Sequence, residues 1–476
     1  MADTGHRKVD WGTKLIYGVG TLAAAVKSPP LTAYLMLFYN QIVGLPALTV
    51  STIMMIALVF DAIFDPVIGQ VSDNFHSRWG RRLPFMYASA LPVSILFLLL
   101  WLPPAGWSHG ALAVYFSLCL IGVRFFDTFF ELPHQALVPE LASDYDDRTR
   151  LFTIRYLFET LGGIAAMILA LNLFMKERPD GSGGLLAGEG YPGYAIFASI
   201  VMFVAILACT AGLHRRLPRA ISPPKRHAGL RETLGEAAAT LNSRSLAVLA
   251  ATAFFLSIGS GIGNALNLYW SLYFYQLSQF QISLMVLPTI VGMMAVAATP
   301  SLCARLGKRD AAILLCWVYV IATCVPIASR LIGLVPPHSN AMLGVVMIQG
   351  AIGGPAIIMV QVVLSSMIAD LVEDAEVRTG RRSEGLLLSA NNLVRKGTQG
   401  LGALGAGVIL TVVGFPQGAE RREVPAEVLA NLGLLYVTVA IALIATATAC
   451  LSLYRGTRAT HEANIRALST EGLPAE

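Results

Sequence analysis

The chemistry in this chain sits in a few charges set inside apolar sequence. The stretch LVFDAIFDPVIGQVSDNFHSRWGRR, residues 58–82, carries Asp61 and Asp65 one helical turn apart on one face of a long hydrophobic run. Ionised carboxylates in such a place are costly unless something balances them. Two of them can embrace a single hard cation from one side. Sodium, like calcium and magnesium, seeks several oxygens, and the hydroxyl of Thr128 on a facing helix completes the expected shell. With no ion bound the two carboxylates would repel and one would take a proton. The pair therefore suits Na+ or H+, with Li+ a further possibility, and no other cofactor is expected.

The remaining intramembrane ionisable residues are Lys27, Arg124, Asp127, Glu131, Arg155, Glu159, Arg395 and Lys396, with Asp370 and Glu373 closing the tenth helix. Asp127 and Glu131 repeat the four-residue interval, as do Arg155 and Glu159, and Arg124 stands three residues before Asp127. The bland reading is a set of structural ion pairs, Arg124–Asp127 foremost. The functional reading is a cation and substrate pathway through the N-terminal half, where the acids converge at similar depth.

These residues need helices to hold them. The chain has 476 residues, 55% hydrophobic and 13% charged, against about 25% charged in a soluble domain. Apolar segments long enough to cross a bilayer recur at about 14–42, 48–72, 83–102, 111–138, 151–175, 191–213, 245–275, 280–304, 310–332, 341–369, 385–414 and 427–454. The expectation is an all-α polytopic membrane protein with twelve transmembrane helices in two six-helix bundles, residues 1–213 and 245–476. A cytoplasmic central loop, 214–244, joins them, and open sheet is excluded because lipid cannot satisfy its backbone.

With the N-terminus inside, 24 of the 34 Lys and Arg fall on the inner side and five on the outer. That bias predicts a multi-pass protein of the plasma membrane with both termini cytoplasmic. The basic charge is topological, so no nucleic acid is implied. The polar N-terminus lacks the pattern of a removable signal peptide. Six scattered cysteines without CxxC spacing read as buried small hydrophobes. The loop GQVSDNFHSRWGRR has a weaker counterpart in CARLGKRD between helices 8 and 9, which suggests two repeats about an axis along the membrane normal. Asp73, Arg78, Arg81 and Arg82 of the first loop are expected to latch onto helix ends in one state and release in the other.

DAIFDPVIGQVSD…SRWGRRLPFM, with YGVG and LFYNQIVGL before it and FFELPHQALVPEL, RTRLFTIRYLF and NNLVRKG after it, resembles the glycoside–pentoside–hexuronide:cation symporters of the major facilitator superfamily, typified by the melibiose carrier. The resemblance covers essentially the whole chain. It implies that Asp61 and Asp65 bind the cation, with Thr128 as the helix 4 hydroxyl ligand. Glu131 takes the place of a sugar-binding aspartate, Arg155 matches a sugar-contacting arginine, and Lys396 matches a helix 11 lysine near the cation site. Lys27 and Glu159 are assigned to the substrate with Glu131 and Arg155, and Arg124 and Asp127 to coupling with Lys396. Three positions depart from the melibiose pattern: Ala25 replaces a sugar-binding aspartate, Phe64 a cation-ligating asparagine and Gln135 an indole. The function implied is cation-coupled symport of a sugar or glycoside by a monomer in contact with lipid. The helix 5 pattern RYLFETLG also resembles a lysophospholipid-carrying branch, so an amphipathic solute is the alternative.

Other signals carry less. GLGALG, Gly400 to Gly405, lies inside a helix without a preceding strand, so close helix packing or bending is expected rather than nucleotide binding. Pro29-Pro30, Gly259–Gly263 and Gly353–Pro355 are expected to interrupt their helices where these line a cavity. Trp270, Tyr273 and Trp317 read as core or lipid-facing, and His134 as an interior residue or a substrate contact. No HExxH, GxSxG or P-loop points to an enzyme. Uptake driven by an ion gradient separates a carrier from a sensor of the same fold.

Overall fold

A computed structural model of the chain describes residues 9–142, 144–177, 183–216, 244–379, 384–418 and 423–454. Among these the secondary structure is helical, apart from one isolated bridge between Glu177 and Gly183. Among the described residues ten helices are long and apolar enough to cross a membrane. Numbered by their expected place, they are span 2 (Ala47–Asn74), span 3 (Leu83–Leu100), span 4 (His109–Leu141), span 5 (Asp147–Phe174), span 6 (Gly190–His214), span 7 (Ser245–Phe274), span 8 (Gln279–Val296), span 9 (Lys308–Leu331), span 10 (Asn340–Ile368) and span 12 (Ala426–Ser452). Span 11 is the shorter apolar stretch Gly397–Val412 of a longer helix. Span 1, residues 11–42, is a broken rod: Trp11–Gly20 and Leu22–Pro29, then π turns at Pro30–Tyr34 and Phe38–Ile42.

These helices are apolar all round because they face lipid outside and protein inside. Leu118, Ile200, Ile321 and Leu434 point outward, whereas Tyr17, Tyr39, Phe97 and Phe116 are fully buried. Side-chain oxygens of Asp10, Ser108 and Ser278 cap the starts of spans 1, 4 and 8. Thr13 donates to Asp10 from both hydroxyl and main-chain N–H, which holds that carboxyl below the usual carboxylate range. Cys119, Cys209 and Cys316 are buried and all six cysteines are free thiols.

The chain divides into two compact units. The first runs to Lys225 and takes in 264–269 and 416–423; the second holds the rest. Within the first, span 4 packs on spans 2 and 3, span 3 on span 6, and span 1 on spans 5 and 6. Within the second, span 10 packs on 8 and 9, and span 9 on 12, the same pattern. The backbone repeats in detail as well. Spans 1 and 7 both end in a five-residue π turn, Phe38–Ile42 and Trp270–Phe274. In each, the amide after the turn reaches back to its first carbonyl (Val43 to Phe38, 3.0 Å; Tyr275 to Trp270, 2.7 Å). A left-handed residue follows, Gly44 (φ 84°) in one and Gln276 (φ 53°) in the other.

The expected interruptions fall out differently. Pro29-Pro30 does open a π turn, but the helices through Gly259–Gly263 and Gly353–Pro355 are continuous. Gly261 serves packing instead: a Cβ there would lie 2.9 Å from the Cα of Gly402, and one on Gly402 would lie 2.6 Å from the Cα of Gly261. Spans 7 and 11 therefore touch backbone to backbone, which accounts for the glycines of GLGALG as packing residues.

Candidate cation and substrate site

Span 4 is the spine of the site. Arg124, Asp127, Thr128, Glu131 and Gln135 recur at three- and four-residue steps, so their side chains share one face. Spans 1, 2 and 5 each bring a partner to that face. From span 1, the ammonium of the buried Lys27 is in direct contact with the carboxylate of Asp127. From span 2, Asp61 Oδ2 lies 3.5 Å from Arg124 Nη1. From span 5, Arg155 Nη2 lies 3.4 Å from Glu131 Oε1, which also accepts from the Gln135 amide at 3.1 Å. The expected pairing of Arg124 with Asp127 along one helix is replaced by two pairings between helices. Side chains on a helix lean toward its N-terminus, so the nearest partner in sequence need not be nearest in space.

Thr128 closes the arrangement. Its Oγ1 lies 3.4 Å from Asp61 Oδ1, 3.3 Å from Asp65 Oδ1 and 3.0 Å from the carbonyl of Arg124. A hydroxyl has one proton and two lone pairs. Given to the nearest acceptor, the carbonyl, that proton leaves the lone pairs of Thr128 facing two carboxylate oxygens. Three oxygens turned on one another are a cradle for a small hard cation. No group of three or more His, Cys, Asp or Glu suited to a metal ion occurs among the described residues. The three oxygens come from two carboxylates and a hydroxyl. Phe64 packs edge-on against Phe125 at 5.0 Å beside it, so an aromatic wall stands where the resemblance implies an amide.

Counted by formal charge, the intramembrane part of this unit holds Lys27, Arg124 and Arg155 against Asp61, Asp65, Asp127, Glu131 and Glu159. Carboxylates exceed cations by two. Glu159 is half-buried one turn beyond Arg155. The side chain of Lys396 lies outside the described residues.

The loop after span 2 is tied down as a separate group. Arg82 holds Asp73 (2.8 Å) and Glu140 (2.9 Å) and reaches the carbonyl of Ala136, while Arg81 also holds Glu140. Arg78 instead lies over the ring of Trp79. The second unit has its own version: Lys308, opening span 9, grips Asp370 beyond span 10 at 2.6 Å.

Two contacts had no counterpart in the sequence, and the interior place expected for His134 is filled in a particular way. Lys14 and Asp147, both buried, pair at 2.7 Å and join the starts of spans 1 and 5, with the Val9 amide on the other carboxylate oxygen at 2.8 Å. Arg216, at the end of span 6, adds Thr13 at 3.3 Å. His134 is fully interior, sandwiched between Tyr17 (4.2 Å) and Phe130 (5.0 Å), with Nε2 3.0 Å from the Tyr17 carbonyl. Gly20 leaves room for it, since a Cβ there would meet Nε2 at 3.0 Å. The proline before His134 and the YGVG motif of span 1 were the available signals.

A model of the MFS/sugar transport protein family matches residues 16–458. An uncharacterised symporter of Synechocystis is 32% identical over 268 residues, which are 53% of this chain and 46% of that relative; the match thus spans less than half of the relative's length. The isoprimeverose transporter of Lactiplantibacillus pentosus is 24% identical over 410 residues, 86% of this chain and 81% of its own. The crystal structure of a mutant of the nucleoside transporter NupG superposes with a TM-score of 0.66 over 92% of this chain and 99% of that one, at 14% identity, a likeness of fold alone.

Proposed function

Because the chain belongs to the MFS/sugar transport protein family, and within it to the glycoside–pentoside–hexuronide:cation symporters, we propose that it is a secondary active transporter. It moves a sugar or glycoside together with a monovalent cation by alternating access. One observation carries the reading: a single face of span 4 gathers four carboxylates and three cations, and two of the carboxylates, Asp61 and Asp65, meet at the hydroxyl of Thr128. An excess of buried carboxylate calls for a cation. Na+ is the coupling ion of choice for a three-oxygen cradle, with H+ and Li+ its competitors.

The residues then have distinct tasks. Asp61, Asp65 and Thr128 hold the ion. Glu131 accepts hydrogen bonds from substrate hydroxyls while Arg155 donates to substrate oxygens, the two having only a 3.4 Å contact to break when a solute enters. Lys27 keeps Asp127 neutralised, so that the span 4 face does not repel itself. The loop ion pairs at Arg81, Arg82, Asp73 and Glu140 hold one end of spans 2, 3 and 4 together and weight the balance between states. The carrier works as a monomer in the plasma membrane with both termini cytoplasmic. A lysophospholipid substrate is not favoured, because relatives of this chain are named as an isoprimeverose transporter, a glucuronide carrier homologue and a putative glycoside/cation symporter.

The test is uptake into proteoliposomes from a panel of glycosides, pentosides and hexuronides, with a Na+ gradient, a pH gradient or neither. Accumulation that follows one imposed gradient supports the reading. Equilibration of every solute regardless of gradient, or displacement only by long acyl chains, sinks it.

A further inference from the structure

Arg124 is oddly placed for a structural arginine. Its guanidinium offers five N–H donors, yet its ion pair is one long contact, 3.5 Å from Nη1 to Asp61 Oδ2. Its Nε is buried and has no hydrogen-bond partner. A buried donor left unmade is costly, and an arginine fixed for architecture is ordinarily satisfied at several of its donors. The neighbouring pair shows the contrast: Lys27 is in tight contact with Asp127. Arg124 also acts on one of the two carboxylates of the oxygen cradle, through the oxygen facing away from it, since Asp61 turns Oδ1 toward Thr128 and Oδ2 toward Arg124.

We infer that Arg124 is a tethered counter-ion of the cation site, neutralising Asp61 while the cradle holds no ion and yielding it when a cation binds. The inference rests on the proposed cation site and deepens it. A guanidinium on a flexible stem, held by one long contact and with an orphaned Nε–H, loses little when it swings away. While it stays, Asp61 has half of its charge directed elsewhere, so the cradle binds cations more weakly than two free carboxylates would. The arginine thereby lowers the cost of holding two close carboxylates in the membrane when the cradle is empty and avoids an ion held too tightly to be released.

Calorimetric titration of the purified, full-length protein with NaCl, against choline chloride at equal ionic strength and fixed pH, tests this directly. A nearby opposite charge biases a carboxylate by a factor of about ten to a thousand. Arg124→Gln is therefore expected to bind Na+ at least about tenfold more tightly than the parent, or to bind it where the parent gives no heat. Arg124→Lys, which keeps the charge, is expected to stay near the parent. Should Arg124→Gln fail to fold, Arg124→Met keeps the length of the stem and serves in its place. Equal or weaker Na+ binding by the neutral variants, or no binding by any of them, overturns the counter-ion. Asp65→Asn separates the two levels. If it abolishes Na+ binding while Arg124→Gln does not tighten it, only the counter-ion fails; if Asp65→Asn binds like the parent, the cradle itself is wrong.

Discussion

Spans 4 and 10 are built alike and furnished differently. Each starts under a serine cap, Ser108 on Ala111 and Ser339 on Met342, each packs on the two preceding spans of its own unit, and each has an acid near its far end gripped by a basic residue at the start of the span just before it. Setting Ser108 against Ser339 places Arg124, Asp127, Thr128 and Glu131 opposite Pro355, Ile358, Met359 and Val362. Setting Gly44 against Gln276 likewise places Asp61 and Asp65 opposite Met293 and Ala297. The turns, caps and end latches are duplicated, whereas the charges within the membrane are not. Architecture needs both copies to bury their backbones. Charge in lipid is costly enough to appear only where it has a task.

The largest effect that would break this asymmetry lies at span 2. Asp61→Asn or Asp65→Asn is expected to abolish gradient-driven accumulation, while exchange of substrate between equal pools persists. Met293→Asn and Ala297→Asn, at the equivalent places, are expected to leave accumulation intact. Counterflow and uptake assays on the four variants check this, and equal damage in both halves would refute it.

Next comes the tight pair between spans 1 and 4. Lys27→Ala leaves Asp127 without its ammonium in a poorly solvated place, a loss of about 3–5 kcal/mol for a buried pair. Thermal melting in detergent should fall sharply, and Lys27→Ala with Asp127→Ala should recover most of it. No recovery in the double variant would mean that Asp127 has a further task.

A smaller effect is expected at the substrate. A charged hydrogen bond is worth about 1.5–3 kcal/mol, so Glu131→Gln should weaken glycoside binding by about ten- to a hundredfold. Val362→Gln, its counterpart in span 10, should change affinity little. Ligand titration reads both.

The smallest difference concerns what the halves share. Asp73→Asn in the first latch and Lys308→Gln in the second each remove a partly exposed pair worth about 0–1 kcal/mol. Both are expected to change the rate of transport more than substrate affinity, and to similar degrees. An affinity loss at unchanged rate would argue against a latch in either unit.

Much of this was open to the sequence. Apolar runs of spanning length placed the helices, because lipid leaves the backbone few alternatives. The costly acids drew attention to these positions, and Asp61 and Asp65 both approach Thr128, as Arg155 approaches Glu131. Partner choice was not legible, since Arg124 and Lys27 pair across helices that the sequence cannot orient. The π turns were hidden because a five-residue change of hydrogen bonding leaves no mark on apolar periodicity. The glycines of span 7 misled because glycine serves both to interrupt a helix and to let two backbones meet. Lys14–Asp147 was missed because both residues looked like ordinary loop charges at helix starts.

The excess of two carboxylates over cations in the first unit has an electrical consequence. Moving one elementary charge through the membrane field changes the energy by about 2.3 kcal/mol per 100 mV. With its acids ionised, the ion-free intramembrane part of the first unit carries this excess of negative charge, and a voltage negative inside drives that charged site toward the outer face. A bound monovalent cation halves that charge and so weakens the push that opposes inward passage of the loaded form. The resting voltage then acts as a return spring for the ion-free carrier, so that current recordings should show the unloaded step, rather than the loaded one, as the more voltage-dependent half of the cycle.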